Sequence, residues 1–308
     1  MSGAPARLTL AICTFDRADS LLRTLDTAAG QVCDQPFEVL VVDNNSSDGT
    51  SAAVAERAES FPVPLRVLRE ERQGRSHALN LALEAAQGDV LIFTDDDVDL
   101  RTGFIAAHAA VYADPEVVGA GGRIVPVMPD NTPAWMRTMA EERNGGVAGR
   151  YEFGDEIRDI LPSSGLLLPF GANMSVRRDA ARAAQGFRLD LGWGATFVPG
   201  EENDLFERIR DERAKVVYQP AAVVHHRFQR DKATLAYFLR YEAGYGRAQV
   251  LMADPKRAER VRWIVRNALR LSTCSLELAL GPGEITERIE PLRQRARARG
   301  RLAQLLCA

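Results

Sequence analysis

Four short apolar runs, each separated from the next by a segment of helical periodicity, restrict the first hundred residues of this chain to an α/β architecture. "LTLAIC" (Leu8 to Cys13), "FEVLVVD" (Phe37 to Asp43), "LRVLRE" from Leu65 and "VLIFT" (Val90 to Thr94) have the length and continuous apolar character of strands covered on both faces. Between them, Ser20 to Ala29 sets Leu21, Leu22, Leu25, Ala28 and Ala29 on one helical face. Thr50 opens a second helix after the polar turn Asn44 to Gly49, and Gly74 to Ala86 reads as a third. Strands joined through helices require right-handed parallel crossovers, hence a doubly wound sheet whose ligand lies at the carboxyl ends of the strands. Those ends carry Asp16, Asp43 and the run Asp95-Asp96-Asp97, so acidic side chains are expected to converge on one edge of the sheet.

The rest of the chain is less regular at first. From Pro126 to Gly165, Pro, Gly and mixed charge replace any periodicity, which predicts a variable loop region. "LLLPFGANMSVRR" restores order, "GEENDLFERIRDE" reads as a helix and "AKVVYQPAAVVHH" as strand material; beyond about Arg230 the pattern is helical to the end. The expected organisation is therefore an α/β domain over 1–230 and a helical C-terminal extension over 231–308.

Charge and cysteine usage narrow the partners. A formal net charge of -3 gives no reason to expect nucleic acid, since phosphate-backbone binders carry a basic excess. From Asp254 to Ala308, however, twelve Lys/Arg stand against six Asp/Glu, a basic tail on an acidic body. Within that tail Arg257, Arg260, Arg266 and Arg270 interleave with Val261, Ile264, Val265 and Leu269, a pattern that suits either an amphipathic helix on an anionic membrane surface or a helix packed on the body. Cys13, Cys33, Cys274 and Cys307 lie far apart with no CxxC spacing, so neither a zinc site nor a disulfide framework is indicated and a reducing compartment fits. The N-terminus lacks the apolar core of a signal peptide, and Arg266, Asn267 and Arg270 interrupt the stretch from Trp263 to Leu280 that would otherwise approach a membrane span. Cytoplasmic residence is the expectation, with the inner face of the membrane as the surface the tail would touch.

The acidic triplet is the strongest chemical feature, because Mg²⁺ and Mn²⁺ prefer carboxylate oxygens. In isolation such a triplet reads as a solvated turn. Its position after a buried strand turns the balance toward a site. The segments "TLAICTFDRADSLLRTL", "FEVLVVDNNSSDGT", "GRSHALNLALEAAQGDVLIFTDDDV", "GANMSVRR", "GEENDL" and "PAAVVHHRF" together resemble family 2 glycosyltransferases of the GT-A fold, in order and approximate spacing, from Leu8 to about Arg247.

The resemblance implies a nucleotide-sugar donor, with UDP-sugar as default, a Mn²⁺ or Mg²⁺ cofactor, inversion at the anomeric carbon, and a glycan, lipid-linked or small-molecule acceptor. By position, Thr14 and Asp16 border the nucleotide and Asp43 holds the base or ribose; a turn-forming Asx residue is the rival reading for Asp43. Asp95 faces the ribose or donor sugar, Asp96 belongs to the same donor segment without a specific task, and Asp97 binds the metal. A late histidine completes the metal sphere: His226 matches the family spacing better than His225, and strand alternation sends the two rings to opposite faces. Glu202 takes the place of the family's general base, where aspartate is more usual, while Glu201 and Asp204 are either functional or ordinary first-turn acids. Gly171 and Asn173 lie in the segment that lines the donor pocket, or else form a tight turn into a strand. Trp193 is either an acceptor platform or a packing residue. Relatives often carry an arginine in an "ARN" segment on the third helix, but this chain has Ala78-Leu79-Asn80; Arg75, one turn earlier, either replaces that cation at position 79 or is simply solvated.

Two other enzyme classes fit less well. A sugar-phosphate nucleotidyltransferase calls for a Gly-rich loop after the first strand, where "CTFDRADS" stands, and a dinucleotide oxidoreductase calls for GxGxxG. A non-catalytic nucleotide-sugar or glycan-binding module leaves the acidic motifs unexplained.

Overall fold

The computed structural model describes residues 7–142, 144–194, 197–211, 213–281 and 283–307. In chain order the elements are β1 (Leu8–Thr14), α1 (Ala18–Ala29), β2 (Phe37–Asp43), α2 (Thr50–Ala58), β3 (Leu65–Arg69), α3 (Arg75–Ala85), β4 (Val90–Thr94), β5 (Val98–Leu100), α4 (Phe104–Val111), β6 (Val117–Val127), α5 (Ala134–Glu142), β7 (Arg158–Asp159), β8 (Asn173–Arg177), α6 (Arg178–Ala183), α7 (Glu201–Ile209) and β9 (Lys215–Arg227). After a 3₁₀ turn at Arg230–Lys232 come α8 (Leu235–Ala253), α9 (Arg257–Leu280) and α10 (Ile285–Leu306).

One mixed sheet runs β3-β2-β1-β4-β8-β6-β9-β5, with β7 on β9. Its first four strands are parallel, as the strand–helix alternation requires, and β4 and β2 are buried almost throughout because helices cover both faces. Beyond β4 the pairing changes: β8 lies antiparallel to both β4 and β6, while β6 and β9 run parallel. Pro220 has no N–H for a ladder, and β9 slips register there, so that Gln219 pairs with Gly122 and Val223 with Arg123.

The chain divides into two compact units. The first takes the residues up to Val127 with 149–189 and 201–227; the second takes 128–148, 190–200 and 228–308. The sheet and its core belong to the first. In the second, Trp135, Met136, Val147, Phe228 and Phe238 form a separate apolar cluster, with α10 packed on α8 and α9. The expected loop region from Pro126 to Gly165 thus contains a helix, α5, and the short strand β7. That helix escapes a periodicity reading because it is nine residues long, stands among Pro and Gly residues, and buries only Trp135, Met136 and Ala140.

A buried polar network locks β8 into the sheet and corrects the expectation for Asn173. Asn173 is fully buried, and its Nδ2 donates to the carbonyls of Arg123 and Ala222, both at 2.9 Å. Its Oδ1 can only accept, so the 2.8 Å contact from His108 makes Nε2 of that ring the donor. His108 Nδ1 then accepts from Ser175 Oγ at 2.9 Å, and Ser175 accepts from the Tyr112 hydroxyl at 2.9 Å. Every polar group of the Asn173 side chain is spent on the protein, which gives it a structural task in place of a donor-sugar contact. Burial depresses the His108 pKa to about 4, with the bond to Asn173 opposing, so the ring is neutral.

Asn173→Ala should lower unfolding stability by about 2–4 kcal/mol, since it strands three buried partners. Because the folded His108 binds its proton only near pH 4 and an unfolded histidine near 6.5, its contribution is complete above about 6.5 and is lost as pH falls toward 4. Denaturant titrations at pH 7.5 and 5 should show a larger acid loss for the wild type than for His108→Gln; equal losses would contradict a neutral buried ring.

Candidate functional site

The acidic triplet occupies the turn between β4 and β5, and neighbouring elements fix its backbone. The carbonyl of Asp96 accepts from Ser20 Oγ at 2.8 Å and Thr24 Oγ1 at 2.9 Å, both on α1. Arg227, at the end of β9, donates its backbone N–H to the carbonyl of Asp97 at 2.8 Å and its guanidinium to the carbonyl of Val98 and to Thr24. A short polar turn is thereby given a set position by a helix and a strand remote in sequence.

The three carboxylates have different environments. Asp96 is buried and accepts from Thr14 Oγ1 at 2.6 Å and from Arg17 Nη1 at 3.0 Å. Burial pushes its carboxyl above the usual range against the pull of Arg17, with Asp97 adding to the rise. Asp97 is also buried, with Oδ2 3.1 Å from Arg17 Nη1 and Oδ1 3.1 Å from His226 Nε2. Asp95 is partly exposed and takes a 2.7 Å ion pair from Arg75. His226 pairs with Val98 across β9 and β5 and its ring reaches Asp97, whereas His225 pairs with Asp99.

Asp95, Asp97 and His226 each place one ligand atom within 4.8 Å of the other two. Two carboxylate oxygens and one imidazole nitrogen suit Mn²⁺ or Mg²⁺ by donor chemistry, so the residues present fit such an ion. Asp95, expected at the ribose or sugar, therefore joins the group able to hold metal.

Arg75 is the second organising cation. Besides Asp95 it contacts Glu201 Oε1 at 2.9 Å, and Glu201 is almost wholly buried at the start of α7. Gly171 makes room for it: a Cβ at that position would stand 2.3 Å from Arg75 Nη2. The reading of Arg75 as a solvated residue is thus replaced. Leu79, one turn later on α3, is 1% exposed in the core. Next to Glu201, Glu202 is half-buried; burial, then the charge of Glu201, pushes its carboxyl up to about 8, with Arg75 opposing and Asp95 adding to the rise.

Other expected residues have different surroundings. Asp43 is fully buried; Oδ1 accepts from Ser46 N–H at 2.8 Å, the Asx-turn geometry, and Oδ2 accepts from Ser51 Oγ. Asp16 is exposed at φ 50° and ties the first two βα loops together by accepting from Ser47 N–H at 2.6 Å. Asp204 is held by Arg188 at 3.3 Å and Arg208 at 2.7 Å, and Arg208 in turn reaches the carbonyl of Gly186, which makes this acid a brace between α6 and α7. Trp193, in the second unit, packs edge-on against Phe197 at 4.2 Å and stacks with Tyr237 at 6.2 Å. Arg17 was absent from the expected set; the signal for it is the "FDR" that follows β1, one residue past Asp16.

Comparison with known proteins agrees with this architecture. Residues 9–183, more than half of the chain, match the profile described as glycosyl transferase family 2. The chain belongs to that family. It is 23% identical over 273 residues to the succinoglycan biosynthesis protein ExoM of Rhizobium meliloti (strain 1021), covering 85% of this chain and 81% of that protein. It is 33% identical over 102 residues to the uncharacterized glycosyltransferase YfnE of Bacillus subtilis (strain 168), a match that covers 33% of this chain and only 26% of YfnE. Among solved structures, the mannosyltransferase PcManGT from Pyrobaculum calidifontis, in complex with GDP-Man and Mn²⁺, superposes with a TM-score of 0.52 at 20% identity, covering 99% and 75% of the two chains. Residues 1-349 of TarS from S. aureus, in complex with UDP-GlcNAc, give 0.58 at 16% identity, covering 79% and 66%. These likenesses establish the GT-A fold.

Arg75→Ala should destabilise the protein by about 3 kcal/mol, because it leaves Asp95 and Glu201 facing each other without their counter-charge. Arg75→Lys should recover part of that loss. Chemical denaturation checks both, and a stability unchanged in Arg75→Ala would remove Arg75 from the acid cluster's supports.

Proposed function

We propose that this protein is an inverting glycosyltransferase that moves a sugar from a nucleotide diphosphate, by default a UDP-sugar, to an acceptor hydroxyl. The observation that carries this reading is the meeting of Asp95, Asp97 and His226 at the carboxyl ends of the sheet, beside Glu201 and Glu202. The metal requirement, donor and stereochemistry rest on that arrangement and on family membership. PcManGT with GDP-Man and Mn²⁺ and TarS with UDP-GlcNAc support the donor class.

In this mechanism Asp95, Asp97 and His226 would hold Mn²⁺ or Mg²⁺, which when bound would supply positive charge for the departing diphosphate. Thr14 and Asp16 border the nucleotide. Asp96 stays with Thr14 and Arg17, which keep the turn rigid. Arg75 and Gly171 set the floor of the donor site, and the main job of Asp43 is to hold the loop after β2. Glu202 accepts the acceptor hydroxyl's proton through its carboxylate. Its raised pKa makes it a stronger base than an ordinary glutamate, at the cost of being protonated in much of the population at neutral pH. Trp193, half-buried beside Phe197 and Tyr237, is the candidate acceptor platform.

Cytoplasmic work with peripheral membrane contact belongs to the same reading. All four cysteines are free, and no helix among the described residues is long and apolar enough to cross a membrane. On α9, Val261, Val265, Leu269, Leu276 and Leu280 are 53–78% exposed on one stripe, beside Arg262 and Arg266.

Asp97→Ala should abolish donor hydrolysis and transfer, and excess chelator should do the same to the wild type. Full turnover in chelator would sink the metal assignment, and a protein that binds donor but never hydrolyses it would favour a binding module. Glu202→Gln should keep donor affinity while turnover falls about 10²-fold or more. In the wild type, kcat/KM should rise with pH toward about 8 and level above it, because only the ionised Glu202 can take the proton, with Glu201, Asp95 and Arg75 setting its field. A profile of the same shape in Glu202→Gln would assign the base elsewhere.

A further inference from the structure

The second unit contains a cluster of cations that the proposed reaction does not use. Helices α8 and α10 cross with their backbones in close approach. A Cβ on Gly246 would stand 2.3 Å from the carbonyl oxygen of Arg297, and one on Gly300 would stand 1.9 Å from that of Ala243. With small residues at the crossing, the long side chains on either side of it line a groove of about 360 Å³. Four of these are arginines: Arg240 and Arg247 from α8, and Arg295 and Arg299 from α10. Leu239 and Leu292 supply apolar wall, and among the described residues no acidic side chain lines the groove.

The nearby acids are committed elsewhere. Glu242 pairs with Arg297, and Glu290 with Arg293. Arg301 bonds to Gln249 and Asn267, and burial, followed by the charges of Arg297 and Arg266, holds its guanidinium below its ordinary range. Among the described residues the side chains of Arg247, Arg295 and Arg299 have no hydrogen bond or ion pair; Arg247 and Arg299 are exposed, and Arg295 Nε is buried without an acceptor. Arg240 lies over the Phe197 ring at 4.4 Å. Arg295 and Arg299 are four apart on one helix, a spacing at which like charges repel. Arg240, Arg247 and Arg299 are exposed and Arg295 is half-buried, so the four guanidiniums along the groove are accessible to an anion that arrives from outside. Planar forked donors match phosphate oxygens, which accept two bonds from each arginine.

We propose that the groove between α8 and α10 binds a phosphate or diphosphate group, with Arg247 and Arg295 as its principal donors. The group is either a free phosphate compound or the headgroup of a lipid, whose first carbons would meet Leu239 and Leu292. The site goes beyond the donor site and does not depend on it.

The test is calorimetry in excess chelator, with inorganic pyrophosphate and, separately, monomeric dihexanoyl phosphatidic acid as probes. The wild type should bind at least one, and Arg247→Gln/Arg295→Gln should lose about tenfold or more in affinity while Arg75→Ala does not. Tighter binding of the phosphatidic acid assigns a lipid headgroup; equal or tighter binding of pyrophosphate assigns a free phosphate. Either result supports the site. If neither probe binds, or if affinity falls in Arg75→Ala and not in the pair, the proposal is overturned. Circular dichroism checks that the pair folds, and Arg299→Gln alone serves if it does not.

Discussion

The structure of the first unit depends on five carboxylates being held close together by two guanidiniums. Asp95, Asp96, Asp97, Glu201 and Glu202 come from the end of one strand and the start of one helix, and their mutual repulsion in a partly buried site would drive those elements apart. Arg17 bridges Asp96 and Asp97, and Arg75 bridges Asp95 and Glu201. The raised carboxyls of Asp96 and Glu202 show that this compensation is incomplete, since burial outweighs the neighbouring cations at both. A carboxyl raised in this way is partly protonated near neutrality and is suited to proton transfer, the role proposed for Glu202.

The four parallel strands and three helices were legible because their signal is local. A continuous apolar run and a polar turn are properties of six or seven neighbouring residues, and burial on both faces in a parallel sheet produces that run directly. The family motifs located the acid edge for the same reason. What could not be read is whatever depends on a partner far along the chain. The task of Asn173 follows from His108, Arg123 and Ala222, which lie 49 to 65 residues away. The brace made by Asp204 depends on Arg188, and the helix α5 is stabilised by an apolar cluster that includes Phe228 and Phe238. Each of these residues has an ordinary local environment, so spacing alone left two readings open.

Asp43 shows how the same residue type can satisfy a motif and still be explained by the fold. Its two oxygens are taken by Ser46 and Ser51, which close the loop after β2 and start α2. An aspartate is favoured there whether or not a nucleotide ever approaches. Asp95 and Asp97 are different, because no loop geometry requires two more carboxylates beside an imidazole. The contrast separates a residue explained by local turn chemistry from residues that the proposed metal site would explain.

The position of Arg75 is best understood through the costs that oppose it. An arginine in the first turn of a helix sits against the positive end of the dipole, a penalty of about 0.3–1 kcal/mol. The alternative one turn later is worse, because position 79 faces the core and a guanidinium there would be buried without a counter-charge, a cost of several kcal/mol. Arg75 instead gains two charge-assisted contacts, to Asp95 and Glu201, each worth roughly 1.5–3 kcal/mol. The contacts outweigh the dipole penalty, so the first turn of α3 is where this fold can place a cation against the acid edge. Gly171 is the corresponding concession on the opposite wall, where any side chain would meet the guanidinium. A leucine at 79, an arginine at 75 and a glycine at 171 therefore form one steric and electrostatic solution, in which a side chain at 171 would displace the guanidinium end of Arg75.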